Sequence, residues 1–142
     1  MSGYSGTPLA KKLGISAESE VLLIGAPAGY DALLQPLPPG VRFSSRASAK
    51  TSLAHLFVTR QGDLSKRLAA LRRALSPDAS VWVSWPKKSS GVPSTVTENV
   101  IRQVALPLGF VDIKVCAFSD VWSGLKLVVR KELRGSTPRR AS

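Results

Sequence analysis

The sequence is poor in the residues that most often carry metal and nucleophilic chemistry. Its 142 residues include one cysteine, Cys116, and one histidine, His55. A single cysteine excludes an intrachain disulfide and a thiolate metal cluster. The histidine has no second histidine or cysteine at ligand spacing, which argues against zinc. We therefore expect no metal site, and we interpret both residues as parts of buried strands.

Acidic residues and long apolar runs are also scarce. Nine Asp and Glu stand against 20 Lys and Arg, so the formal net charge is +11 at pH 7. No apolar run approaches the roughly 20 residues that cross a bilayer, and the N-terminus has no apolar core of signal-peptide length. We expect a cytoplasmic protein without a membrane partner. The charge favours anionic partners, nucleic acid among them.

Apolar residues are nevertheless plentiful enough for a core. They make up 44% of the chain, although only 6% of it is aromatic, and this share excludes disorder as a global description. Residues 1–134 are predicted to form one domain, followed by a disordered basic tail at residues 135–142.

Short apolar runs alternate with helical segments along the chain. Leu64, Leu68, Leu71 and Leu75 form a helical stripe, and a capping box from Thr95 to Glu98 predicts the start of a later helix. The spacing of the last two runs predicts a turn at residues 119–124 between them. The predicted strands, numbered along the chain, are 21–24, 41–43, 53–58, 81–85, 110–118 and 125–131.

This alternation, followed by a closing hairpin, predicts an α/β fold. We expect a single Rossmann-like three-layer domain with a mostly parallel sheet of about six strands. The expected strand order is 2-1-3-4-6-5, with the C-terminal strand antiparallel to the rest.

Three segments together resemble the class I methyltransferase fold, the Rossmann-like fold of most S-adenosylmethionine (SAM) enzymes. Residues 21–29 resemble its first strand and glycine-rich loop, and residues 71–83 its central helix, turn and strand. The sequence from Leu108 onward resembles its C-terminal hairpin. The resemblance implies a reduced version of this fold, with one strand–helix unit missing.

A more specific resemblance is to a family of short bacterial proteins known only as a domain of unknown function. The shared motifs are SGYSGTPL at residues 2–9, WPKK at residues 85–88 and WSGL at residues 122–125. This resemblance supports the fold and implies no activity.

A SAM site would need an open glycine loop and an acidic residue after the second strand to hold the ribose. Here Pro27 lies inside the loop, and Ser44, Ser45 and Arg46 follow the second strand without a carboxylate. We therefore expect no cofactor. The alternative is a SAM-dependent methyltransferase.

Ligands of open α/β sheets bind beyond the carboxyl ends of the strands. The candidate ligand-binding residues at this rim are Gly25, Ala26, Gly29, Arg60, Trp85, Lys87, Lys88, Asp120 and Trp122. One interpretation is an anion or nucleotide pocket, in which the lysines bind phosphate and a tryptophan stacks on a flat ring. The other is that the tryptophans cover the core and the lysines are solvated.

The sequence thus favours a non-catalytic Rossmann-like protein that binds a nucleotide-like anionic small molecule or an anionic partner. Two alternatives stay open. One is an active SAM-dependent methyltransferase, and the other is a nucleic-acid-binding accessory protein that acts through its basic surface. The sequence indicates neither catalytic residues nor an oligomeric state.

Overall fold

In a computed structural model, which describes residues 8–134, the chain forms one six-stranded sheet of order β2-β1-β3-β4-β6-β5. β6 is antiparallel to both β4 and β5, and the other pairs are parallel, so the predicted topology is confirmed. The strands are β1 Glu20–Ile24, β2 Arg42–Ser44, β3 Thr51–Phe57, β4 Ser80–Pro86, β5 Phe110–Ala117 and β6 Trp122–Val129. The helices are α1 Leu9–Leu13, α2 Tyr30–Leu33, α3 Gln61–Ala74, α4 Glu98–Ala105 and α5 Lys131–Arg134.

Helices α3 and α4 cover one face of the sheet. The predicted leucine stripe of α3 packs into this core, and both Leu64 and Leu68 are fully buried there. Ile101 of α4 and Phe110 of β5 complete the same apolar layer. The spacing of apolar residues along α3 therefore decides which side of the helix meets the sheet.

The opposite face is covered by the short helices α1 and α2. Leu13 of α1 and Trp82 of β4 are both buried in this second core. The Trp82 indole Nε1 donates a hydrogen bond to the Leu13 carbonyl oxygen at 2.8 Å. Because α1 has only five residues, packing and this bond, rather than helix propensity, hold it in place.

The link between β2 and β3 is unusually short for two parallel strands that flank β1. β2 ends opposite Leu22, and residues 45–50 return to Thr51, which lies opposite Glu20. Ser48 donates a hydrogen bond to the Glu20 carboxylate and fixes this return.

Strand β6 begins earlier than predicted. The turn predicted at residues 119–124 is wrong in its second half, because Trp122 pairs with Pro86 and Ser123 with Trp85 in β4. Gly124 allows this pairing, since a β-carbon there would lie 3.2 Å from the Trp82 ring. The spacing of the apolar runs predicted a turn here, whereas Gly124 lies in the strand, where a side chain would crowd the Trp82 ring.

The predicted capping box at the start of α4 is also wrong. Thr97, not Thr95, is the N-cap, and its Oγ1 accepts a hydrogen bond from the Val100 amide at 3.2 Å. The Thr95 hydroxyl accepts instead from the Gln61 amide at 2.8 Å, at the start of α3. A tertiary contact therefore takes the hydroxyl that the local pattern assigned to α4.

We expect Thr97→Ala to lower the free energy of unfolding by about 1 kcal/mol, because it leaves the Val100 amide without its capping oxygen. Urea unfolding measures the loss. Thr97→Ser keeps the hydroxyl and is the control, so equal losses in the two variants would contradict the cap.

Within residues 8–134, no helix combines the length and apolar character that crossing a membrane requires. The predicted disordered tail at residues 135–142 lies outside the described residues, as do residues 2–7 of the first family motif.

Candidate functional site

The loop between β1 and α2 exposes backbone at the carboxyl end of the sheet. Gly25 and Gly29 have φ values of +73° and +83°, in the left-handed region that favours glycine. A β-carbon at Gly25 would lie 2.9 Å from the Phe57 carbonyl oxygen, so the loop crosses closely over the end of β3. No atom lies within 4 Å of a β-carbon position at Gly29. The loop is therefore held at Gly25 and open at Gly29.

The end of β2 offers hydroxyl and backbone groups. The Ser44 hydroxyl accepts a hydrogen bond from the Arg46 amide and lies 3.0 Å from the Arg46 carbonyl oxygen, to which it donates. Residues 44–46 contain no carboxylate, and Glu20 at the opposite end of β1 is paired with Arg42. The open backbone at Gly29 leaves room for a nucleotide-type cofactor, and residues 44–46 hold no acid that could bind its ribose.

A buried polar network lies next to this loop. Tyr30, the first residue of α2, places its Oη 3.0 Å from His55 Nδ1, and His55 Nε2 lies 2.8 Å from Ser84 Oγ. Burial lowers the pKa of His55 to about 3 and raises the pKa of Tyr30. The imidazole is therefore neutral, with one nitrogen donating and the other accepting. The interpretation of His55 as part of a buried strand is confirmed.

Aromatic rings surround this network. Tyr30 stacks on Phe118 with ring centroids 5.5 Å apart, and His55 stacks on Phe57 at 4.3 Å. Trp122 meets Phe57 edge to face at 5.1 Å. We call Tyr30, His55, Phe57, Phe118 and Trp122 the aromatic box. Its ring contacts pack α2, β3 and the β5–β6 hairpin against one another next to the glycine loop.

The candidate site residues lie in several places. Trp85 is only 9% exposed and packs in the α3/α4 core, whereas half-buried Trp122 belongs to the opposite face. The two rings therefore cannot enclose one ligand. Lys88 is exposed in a short 3₁₀ turn. Arg60 precedes α3, beside a shallow cavity that also meets Lys66.

Lys87 and Asp120 come together at a larger groove, of about 820 Å³. This volume is within the range of small-molecule sites. Helix α1, helix α2 and the β5–β6 turn form its walls, and we call it the hairpin groove. Its lining residues are Leu9, Lys12, Leu33, Lys87, Cys116, Ala117, Phe118, Ser119, Asp120 and Val121.

Sequence reasoning missed most of this groove. Lys12 and Leu33 were not candidates, and Cys116 was interpreted as a fully buried strand residue, whereas it is half-buried and lines the groove. Burial raises the pKa of the Cys116 thiol, and the charges of Lys114 and Lys12 oppose this rise. No local pattern marks Lys12, because only the docking of α1 onto the sheet brings it to the groove.

Metal ligands are not clustered in the part of the chain that the structure describes. Among residues 8–134, no three His, Cys, Asp or Glu side chains lie close enough together to hold a metal ion.

Comparison with known proteins finds relatives in structure. No protein-family model and no curated protein matches the sequence. A SAM-dependent methyltransferase from Aquifex aeolicus has a TM-score of 0.67 at 14% identity, over 86% of this chain and 88% of that one. The chain has a methyltransferase-like fold. Magnesium protoporphyrin IX methyltransferase from Synechocystis PCC 6803, solved with bound SAM, has a TM-score of 0.59 at 13% identity, over 86% and 74%.

Some similar proteins are much longer. Mitomycin 7-O-methyltransferase MmcR has a TM-score of 0.63 at 11% identity, over 79% of this chain. The chain spans 49% of the length of that enzyme.

These similarities correct two expectations. The preference for a non-catalytic binding protein is wrong, because the three similar structures are methyltransferases and favour the alternative. The expectation of no cofactor is wrong for the same reason, since one of these proteins was solved with SAM. Pro27 does not close the loop, because no atom lies within 4 Å of a β-carbon position at Gly29.

Proposed function

We propose that this protein binds SAM at the loop from Gly25 to Gly29 and transfers its methyl group to a small acceptor. The observation that carries the proposal is the glycine loop at the carboxyl end of β1, with open space above Gly29. A ligand can approach the backbone closely where no β-carbon stands in the way. The strand order and the similar methyltransferases support the same function.

Different residues of this chain would bind the cofactor and accept a proton. The backbone of Gly25, Ala26 and Gly29 would bind the cofactor, and Arg60 lies beyond the end of the neighbouring strand β3. SAM supplies an electrophilic methyl group on a sulfonium centre. Asp120, which lines the hairpin groove, would accept the proton that the O–H or N–H group of the acceptor loses as it gains the methyl group, and S-adenosylhomocysteine would leave.

At the end of β2, residues 44–46 would contact the cofactor through hydroxyl and backbone groups in place of a carboxylate. Affinity should then depend strongly on the glycine loop. The aromatic box holds Tyr30 at the end of that loop and so fixes its exit into α2.

Gly29→Ala is expected to weaken SAM binding by at least about tenfold, because the added methyl group occupies the space that the ligand needs. Isothermal titration calorimetry measures the affinity. Gly91→Ala is a matched control, since Gly91 has φ +77° and equally open surroundings in the loop after β4. Both changes strain a left-handed residue by about 1–2 kcal/mol.

The wild type should show saturable heat, and only Gly29→Ala should lose affinity. Equal affinities in the two variants, or no saturable binding by the wild type, would contradict a SAM site at this loop.

Two finer predictions accompany this proposal and stay predictions. One is membership of the family of short bacterial proteins. The other is a nucleic-acid partner for the basic surface of α3, where Lys66, Arg67 and Arg73 are exposed.

A further inference from the structure

The hairpin groove combines an apolar wall with positive charge. Leu9, Leu33 and Val121 present apolar surface, while Lys12 and Lys87 line the same space. Neither lysine forms an ion pair with another residue of the stretch 8–134. The carboxylate of Asp120 offsets only part of this charge. The lining therefore complements a molecule that has an apolar body and an anionic group.

Further positive charge lies beside the groove. Lys114 and Lys126 stand directly opposite each other on β5 and β6, an arrangement that is destabilising for like charges. Lys114 Nζ donates a hydrogen bond to the Lys12 carbonyl oxygen at 3.4 Å. Burial, and secondly the charge of Lys114, lower the pKa of Lys126. A bound anion would relieve this crowding of positive charge.

The groove adjoins the proposed cofactor loop. Phe118 both lines the groove and stacks on Tyr30, which directly follows Gly29. Leu33, at the end of the same helix, is a second lining residue and is 42% exposed. A ligand in the groove would therefore lie next to the glycine loop.

We propose that the hairpin groove binds a small amphipathic anion, a flat apolar body with a carboxylate or phosphate group, and that this molecule is the methyl acceptor. Its role as acceptor rests on the proposed function, whereas its binding does not require SAM. Lys12 and Lys87 pair with the anionic group, and the apolar body packs against Leu33 and Val121. The concave shape and the volume of about 820 Å³ favour a small molecule over a flat macromolecular surface.

The test compares three probes of one shape by calorimetry: 2-naphthoate, 2-naphthyl phosphate and the neutral 2-naphthamide. We expect the better of the two anions to bind at least about tenfold more tightly than the amide, because a charge-assisted contact in a partly desolvated groove exceeds an exposed one. The anion that binds more tightly distinguishes a carboxylate from a phosphate ligand.

The double variant Lys12→Gln with Lys87→Gln is expected to weaken binding of the preferred anion by about tenfold or more. Lys66→Gln with Arg67→Gln removes the same charge from α3, and both side chains are exposed on that helix. This control should change affinity by less than about twofold, because exposed charges contribute little. Urea unfolding of all variants confirms that they are folded.

Equal binding of the amide and the anions would overturn the proposal, and so would equal losses in the two double variants. A SAM titration of the wild type separates this result from the proposed function. Lysine-dependent anion binding without SAM binding would contradict methyl transfer, and with it the acceptor role, but support the anion site. SAM binding without any preference for anions would leave methyl transfer standing and overturn the anion site.

Discussion

As the pH is lowered from about 6.5 to about 3, protonation of His55 is expected to reduce the free energy of unfolding by about 1.4 kcal/mol per pH unit. Burial lowers the pKa of this imidazole to about 3 in the folded protein, whereas an unfolded chain binds the proton near pH 6.5. The unfolded state therefore holds more protons across this interval. The contribution is complete above pH 6.5 and is lost as the pH falls, by about 4–5 kcal/mol in all.

Because His55 is the single histidine of the sequence, its imidazole signals can be followed by NMR without assignment. In the folded protein they should not titrate between pH 7 and about pH 4, and in urea they should titrate near pH 6.5. His55→Gln removes the group, so the fall in stability over this interval should be shallower than in the wild type. A folded-state midpoint near 6.5 would show that the imidazole is accessible and the network open.

Trp82→Ala is expected to lower the free energy of unfolding by about 3–5 kcal/mol. The side chain is fully buried, it supports Gly124 of β6, and its indole N–H binds the Leu13 carbonyl of α1. The substitution removes the ring and leaves that carbonyl without its partner. Urea unfolding measures the loss, and a cost below about 1 kcal/mol would mean that α1 is held by other contacts.

Two further variants separate the loss of the Trp82 ring volume from the loss of its hydrogen bond to α1. Trp82→Phe keeps most of the apolar volume but loses the donor, so we expect an intermediate loss of about 1–3 kcal/mol. Trp122→Phe is the control, because this half-buried ring contacts Phe57 at one edge and carries no such bond to α1. A loss for Trp122→Phe as large as that for Trp82→Ala would contradict the special role of Trp82.

The candidate site could be predicted only in part. The glycine loop, Lys87 and Asp120 were correctly placed at the carboxyl ends of strands, because that end follows from strand direction alone. The two tryptophans were expected at one pocket. Register separates them, since Trp85 pairs with Ser123 and Trp122 with Pro86, and adjacent positions along a strand face opposite sides.

The sequence by itself determined the sheet and the α3 core. Apolar runs such as Leu53 to Phe57 and the stripe from Leu64 to Leu71 depend on local periodicity, so they are visible without coordinates. The expected strand order accompanied the resemblance to the class I methyltransferase fold, and the structure has that order.

Tertiary structure alone decided the hairpin groove and the polar network. Lys12, Leu33 and Cys116 meet only because α1 and α2 dock beside the β5–β6 hairpin, and contacts of such sequence separation leave no local pattern. The same holds for Tyr30, His55 and Ser84, whose hydrogen bonds join α2, β3 and β4. Side-chain chemistry acts over a few ångströms, so the functional surface depended on which distant residues the fold brought together.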